Sequence, residues 1–220
     1  MFSKEMLKLF FEGTAETFYM VLVSTLAAYL IGLPLGVVLV VSEKDGIRPM
    51  PVLNRILGIL INLLRSAPFL ILLVALTPVT RAIVGTSLGS TATIVPLVIG
   101  SAPFIARMVE SSIKEVDAGV IEAAQSMGAS PMQIVMRVML PEAKPSLTVG
   151  AAIAITTILG YSAMAGFVGG GGLGTIAVNY GVYRYQTDVM LFTLALLVLI
   201  VQAFQEVGMR IANRIDKRKK

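Results

Sequence analysis

The sequence contains neither cysteine nor histidine, and this absence removes several kinds of chemistry. The chain cannot form disulfides, supply a thiol nucleophile or an imidazole base, or present the usual side-chain ligands of zinc and haem. The pattern G-x-x-x-x-G-K-[ST] is also missing, so there is no P-loop to hold nucleotide phosphates. We therefore expect no catalytic residue, no metal ligand and no cofactor site in this chain.

Charged residues are scarce as well, at 14% against 56% hydrophobic residues. A water-soluble domain averages about 25% charged and about 45–50% apolar residues. Such a composition cannot cover a soluble surface, so the surrounding solvent must be membrane lipid. At roughly 20 apolar residues per crossing, 220 residues allow several helices with short connections. We predict a single membrane domain over residues 1–220, an all-α integral membrane protein with about five transmembrane helices.

Five apolar stretches are long enough to cross a bilayer. They are residues 18–41, 56–80, 85–106, 145–168 and 189–209. The fourth stretch should end at the glycine run 169–172, and the mixed-charge segment before residue 18 is compatible with an amphipathic helix along the outer interface. Prolines inside the stretches indicate either ordinary kinks or hinges, at Pro34, Pro68, Pro96 and Pro103.

The distribution of lysine and arginine gives the orientation. Basic residues are concentrated in segments 42–55 and 107–144 and in the C-terminal tail, whereas the alternate segments hold few. Cytoplasmic loops carry the positive excess, which predicts an external N-terminus and a cytoplasmic C-terminus. A basic tail could also indicate nucleic-acid binding, but behind an apolar span it is typical of a cytoplasmic end, so we expect no nucleic-acid partner.

The polar segment 107–144 is longer than a connection needs and has strong local signals. Asp117 is a good N-cap for a short helix through Met127, and Gly128 supplies a C-terminal stop. The small residues of this helix either admit the surface of another protein or pack against the spans of this chain. At the start of the segment, Arg107 and Glu110 have the spacing of an i,i+3 ion pair.

A second helix signal follows in the same segment. Ser130-Pro131-Met132-Gln133 has the pattern of a capping box with proline at the first helical position. It predicts a helix from Pro131 to about Leu140, stopped by Pro141. Two capped helices joined at Gly128 would form a rigid cytoplasmic projection.

One pattern in this segment resembles a known family. Glu122-Ala123-Ala124, three residues, Gly128, nine residues and Val138-Met139-Leu140-Pro141 is similar to the EAA loop of ABC-importer permeases, with valine in place of isoleucine. The EAA loop here comprises residues 110–144. The resemblance implies a coupling helix between spans three and four that docks on a partner ATPase. It also implies the coupling residues Glu122, Ala123, Ala124, Gln125 and Gly128.

The stretches 65–81, 85–110 and 159–174 are similar to the permeases of methionine ABC importers. This resemblance implies a homodimer in the bacterial cytoplasmic (inner) membrane, two copies of an ABC ATPase that bind ATP and Mg²⁺, and an extracytoplasmic methionine-binding lipoprotein. The implied function is import of D- and L-methionine. A permease for another amino acid or small polar solute of the same family is the alternative.

Rival functions from other classes are disfavoured. No carboxylate lies inside a predicted span, whereas ion-coupled secondary transporters usually place ionisable residues there. The spans likewise lack the clustered acids, bases or nucleophiles of a membrane enzyme. Residues 169–174 match G-x-G-x-x-G, but they follow a membrane span rather than a strand, so a turn is favoured over a dinucleotide site.

The fourth span is the predicted lining of the translocation pathway. It carries small and weakly polar residues before the glycine run, namely Thr156, Thr157, Tyr161, Ser162 and Met164. Helix–helix packing favours the same small residues and is the alternative explanation.

Overall fold

The structure is a computed structural model that describes residues 2–215, and every regular element in that range is helical. The helices are α1 (Lys4–Val41), α2 (Pro51–Ser66), α3 (Phe69–Ala75), α4 (Thr77–Val84), α5 (Ser90–Lys114), α6 (Ala118–Ser126), α7 (Pro131–Ile134), α8 (Leu140–Met164), α9 (Gly172–Ile176) and α10 (Thr187–Ile215). A π turn joins α7 to α8 (Val135–Met139), a 3₁₀ turn follows α8 (Ala165–Val168), and a second π turn follows α9 (Ala177–Val182).

Helix length and hydropathy agree with a membrane protein. Over residues 2–215, four helical runs are long and apolar enough to cross a bilayer, and the pair α2–α3 makes a fifth if it counts as one bent span. The prediction of an all-α integral membrane protein with about five transmembrane helices is confirmed. The segment before residue 18 does not form a helix of its own, because α1 begins at Lys4 and continues without a break.

The second apolar stretch, 56–80, does not form one straight helix. α2 ends at Ser66, and the chain bends by 100° into α3. Pro68 lies at the bend with φ −58° and ψ 127°, an extended conformation. Proline has no N–H to continue the helical ladder, and it disfavours helical geometry in the residue before it. Pro34, in contrast, lies inside α1 without interrupting it.

The predicted stop at Pro141 is wrong. The helical path continues from α7 through the π turn Val135–Met139 into α8, whose second residue is Pro141. In the π turn the Leu140 N–H bonds to the Val135 carbonyl, five residues back. A π turn shifts the hydrogen-bond ladder by one residue, and such a shift accommodates a proline that lacks an N–H and crowds the preceding turn. The fourth membrane helix is therefore continuous with the EAA loop.

The glycine run ends the fourth helical path, as the sequence predicts. Gly169 adopts a left-handed conformation, φ 75°, directly after the 3₁₀ turn. The sequence does not predict α9 or the π turn that follows it. α9 begins only three residues after Gly169. A Cβ on Gly166 would overlap the carbonyl group of Gly174, so the two short helical segments touch through glycine backbone.

The chain divides into two compact units. The first contains the chain through Ala28, Ala67–Ser101 and Ala154–Gln205. In it, the glycine run is held by hydrogen bonds from two sides. Thr93 Oγ1 donates to the Gly170 carbonyl at 2.9 Å, and the Leu173 N–H donates to Thr17 Oγ1 at 2.9 Å. The Gly172 N–H donates to Glu16 Oε2 at 2.6 Å. These bonds fix the segment that follows α8.

The second unit contains Tyr29–Ser66, Ala102–Ile153 and the chain from Glu206 onward. Its apolar core includes Leu39, Ile61 and Ala106. α1 and α5 approach closely here, because a Cβ on Gly36 would lie only 2.6 Å from the Ala106 carbonyl oxygen. Small residues allow such close contact between membrane helices. This unit also contains the EAA loop.

Candidate functional site

The first helix of the EAA loop forms as the local sequence predicts. Asp117 is the N-cap of α6, and its Oδ1 accepts the Gly119 N–H at 2.7 Å. Met127 is the C-cap, and Gly128 follows with φ +76°, a conformation that glycine adopts without steric cost. Both boundaries of α6 are therefore confirmed.

The second helix begins with the predicted capping box. The Gln133 N–H donates to Ser130 Oγ at 3.4 Å, and the Ser130 N–H donates to Gln133 Oε1 at 2.8 Å. Each residue thus satisfies an amide that a helix start leaves unpaired. Both helices of the EAA loop therefore have a capped start.

The structure divides the predicted coupling residues between two faces of the loop. Ala124 is buried, whereas Glu122, Ala123, Gln125 and Gly128 are exposed. The two explanations of the small residues therefore apply to different positions, since Ala124 packs inside its own unit and Ala123 faces outward. Among residues 2–215, Glu122 forms no ion pair.

Large apolar side chains surround these residues on the surface. Their exposed fractions run from 44% at Val120 through 57% at Met136 and 70% at Met132 to 81% at Met127. Exposed apolar clusters rimmed by polar residues mark interaction sites, and methionine adapts well to a partner surface. Sequence reasoning missed Met132 and Met136. Their i,i+4 spacing directly after the capping box was the available signal.

The candidate pathway residues do not share one environment. In the first unit, Tyr161 stacks on Phe69 with ring centroids 4.2 Å apart and planes 5° from parallel. Ser162 is buried, and its hydroxyl donates to the Leu159 carbonyl at 2.8 Å. Thr156 is half-buried and Met164 is 46% exposed. Sequence reasoning did not find Phe69, which meets Tyr161 only through the tertiary fold.

The expected ion pair between Arg107 and Glu110 is present, with Nη1 and Oε2 2.6 Å apart. Over the described part of the chain, no three acidic side chains come close enough together to hold a metal ion.

Residues 29–220 match the family described as the binding-protein-dependent transport system inner membrane component. The chain belongs to this family. It is a multi-pass permease of the inner membrane. The matched residues include the whole EAA loop, 110–144.

The permease is similar to curated relatives over most of its length. It is 48% identical over 210 residues to the probable D-methionine transport system permease protein MetI of Vibrio cholerae, covering 96% of this chain and 93% of the relative. It is 50% identical over 164 residues to the D-methionine transport system permease protein MetI of Escherichia coli K12, covering 74% of this chain and 76% of the relative.

Solved structures agree with these relatives. The permease matches a chain of the MetNI methionine ABC transporter, solved in inward-facing conformations, with a TM-score of 0.97 and 48% identity. That match covers 98% of this chain and 100% of the other. An amino acid ABC transporter solved with histidines has a TM-score of 0.79 at 20% identity, which supports the fold alone.

Proposed function

We propose that this permease is the membrane subunit of an ATP-driven importer that carries D- and L-methionine into the cytoplasm. It acts as a homodimer with two copies of an ABC ATPase inside and a methionine-binding lipoprotein outside. The ATPase binds ATP and Mg²⁺, and this chain hydrolyses no ATP. The observation that carries the proposal is the 48% identity and 0.97 TM-score to a chain of a methionine ABC transporter over 98% of this chain.

The surface of α6 supports the assignment of the ATPase contact. The exposed polar and small residues of α6 and of the turn after it include Glu122, Ala123, Gln125 and Gly128. Exposed methionines lie nearby in sequence, at Met127 and Met132. A small residue such as Ala123 lets a partner approach the helix backbone closely. Glu122 can pair with a basic side chain at the rim, because charged residues at interface edges fix register and steer binding.

This arrangement supports the following proposal for the coupling between ATPase and permease. ATP binding draws the two ATPase subunits together, and each subunit moves the α6 helix of the permease that is docked on it. Movement of α6 passes through the turn at Gly128 into α7. From there it reaches the fourth membrane helix, because α7, the π turn and α8 form one helical path. The binding energy of ATP in the partner is thereby converted into opening of the permease toward the docked lipoprotein.

The fourth helix is also the proposed pathway lining. Thr156, Tyr161, Ser162 and Met164 remain our candidates, with the exposed thioether of Met164 as the apolar contact for a methionine side chain. Ser162 contributes to shape rather than to direct hydrogen bonding, since its buried hydroxyl already donates to the backbone.

Two substitutions test the docking surface. Replacing Glu122 with lysine reverses the charge at the exposed face of α6, and we expect loss of ATPase copurification or of uptake driven by ATP. Glu206→Lys reverses the charge at an exposed position on α10 and is the matched control. Methionine uptake into proteoliposomes by the assembled transporter measures the effect. Normal uptake by the Glu122→Lys transporter would refute the docking assignment.

The orientation can be tested independently because the chain has no cysteine. Single cysteines placed at Lys4 and at Ser130 should react with a membrane-impermeant maleimide from opposite sides, with Lys4 external. Labelling of both positions from the same side of the membrane would refute the proposed topology. Uptake by the purified permease alone, driven by an ion gradient, would instead support the secondary-transporter alternative.

A further inference from the structure

Glu110 bridges two cations at the end of α5. Arg107 Nη1 donates to Glu110 Oε2 at 2.6 Å, and Lys114 Nζ donates to Glu110 Oε1 at 2.9 Å. Each carboxylate oxygen therefore has its own cation. Glu110 is only 8% exposed and the Arg107 side chain 24% exposed, so water screens their bond less than it screens a solvated surface pair. The Lys114 side chain is more open to solvent, at 42% exposed.

The two cations extend the bridge to other helices of the same unit. Arg107 Nη2 donates to Asn62 Oδ1 at 2.9 Å and to the Gly58 carbonyl at 3.2 Å, both on α2. Lys114 Nζ donates to Glu43 Oε1 at 2.6 Å, just beyond the end of α1. We name the five side chains the ion link: Glu43, Lys114, Glu110, Arg107 and Asn62.

The ion link lies next to the helix that we assign to ATPase docking. α5 ends at Lys114, and the N-cap of α6 is Asp117. The short connection is anchored, since Val116 is buried and its N–H donates to the Ile113 carbonyl at 3.1 Å. A displacement of α6 therefore acts directly on the end of α5 that carries Glu110.

We propose that the ion link transmits the displacement of α6 to α2 and to the segment after α1, with Glu110 as the central positioning residue. This inference rests on the proposed coupling role of α6. Charge-assisted hydrogen bonds are stronger and more directional than neutral ones, and energetic coupling between sites needs a contiguous network between rigid elements. The ion link supplies such a network between α5, α2 and the segment after α1.

The test uses the complete transporter in proteoliposomes and measures methionine taken up per ATP hydrolysed. Glu110→Gln removes the charge that holds both cations. We expect this ratio to fall by roughly fivefold or more, the lower bound of a typical coupling effect, while the amount of copurifying ATPase stays unchanged. Glu206→Gln is the matched control, because Glu206 pairs with Arg210 at 2.7 Å in a solvent-exposed setting. An unchanged ratio in Glu110→Gln would overturn the proposal.

A double variant separates transmission from simple charge balance. Glu110→Gln combined with Lys114→Gln removes one charge of each sign, so the net charge equals that of the wild-type chain. A ratio that stays low supports the ion link, whereas full recovery means that charge balance alone matters and overturns it. If the Glu110→Gln transporter fails to assemble, Glu43→Gln and Asn62→Leu are tested instead. Each removes one outer member of the ion link, which is less buried than Glu110. Normal uptake per ATP in both variants would also overturn the proposal.

The same assay distinguishes this inference from the proposed function. If Glu122→Lys leaves both ATPase copurification and uptake unchanged, the docking role of α6 fails and the ion link loses its basis. If Glu122→Lys lowers copurification or uptake while Glu110→Gln leaves uptake per ATP unchanged, α6 still couples but the ion link does not transmit the movement.

Discussion

Replacing Gly128 with alanine isolates the cost of one backbone conformation in the EAA loop. Gly128 has φ +76°, and a Cβ built on it would meet nothing within 4 Å. The substitution therefore introduces no clash with a neighbour, and its cost is the left-handed conformation itself, about 1–2 kcal/mol for a residue with a side chain. We expect the free energy needed to open the C-terminal end of α6 to fall by that amount.

Hydrogen exchange measures this opening. The Gly128 N–H donates to the Gln125 carbonyl at 2.9 Å, and the Ala129 N–H donates to the Ala124 carbonyl at 3.1 Å. Both bonds close the C-terminal end of α6, so their amides should exchange roughly 5- to 30-fold faster in Gly128→Ala, the factor that corresponds to 1–2 kcal/mol. Exchange in Gly128→Asn should fall between that of the wild type and that of Gly128→Ala, because asparagine tolerates this conformation better than alanine.

Gly160→Ala is the matched control for this prediction. A Cβ added to Gly160 would also meet no atom within 4 Å, but this residue lies in the regular helix α8. Alanine is favoured over glycine in a helix by about 1 kcal/mol, so exchange around residue 160 should slow or stay constant. Unchanged exchange at the end of α6 in Gly128→Ala would refute the argument from backbone strain.

Two further substitutions test side-chain hydrogen bonds. Thr17→Val leaves the buried Leu173 N–H without its acceptor, and we expect the free energy of unfolding to fall by about 1–3 kcal/mol, measured by thermal unfolding in detergent. Thr14→Val is the control and should cost less, because the Thr14 hydroxyl donates to the Phe10 carbonyl of the same helix. Ser130→Ala removes the capping box and should destabilise the start of α7 by about 1 kcal/mol, seen as faster amide exchange there. Ser126→Ala is its control, and equal exchange in the two variants would contradict the capping argument.

The ends of the EAA-loop helices could be predicted because their causes are local. Asp117, Gly128 and Ser130 act within three or four residues of themselves, so spacing alone identifies them. Pro141 shows the limit of such local rules. The sequence predicts a stop there, but the preceding π turn lets the helix continue into the membrane, and no local pattern distinguishes the two outcomes.

The candidate site divides in the same way. The pattern from Glu122 to Gly128 was readable from the sequence, and so was the i,i+3 pair of Arg107 and Glu110, because each lies on one short helical segment. The partners Asn62 and Glu43 were not predictable, since they meet the end of α5 only after α1, α2 and α5 pack together. The stack of Phe69 on Tyr161 has the same origin.

Two properties of this chain follow from its residues alone: its composition places it in membrane lipid, and Asp117 and Ser130 cap the starts of the EAA-loop helices. These properties depend on composition and on contacts between near neighbours. The outward position of Ala123 rather than Ala124, and the bridge that Glu110 makes between two cations, emerge only in three dimensions. Such choices depend on which helices become neighbours, and packing between segments far apart in sequence sets that arrangement.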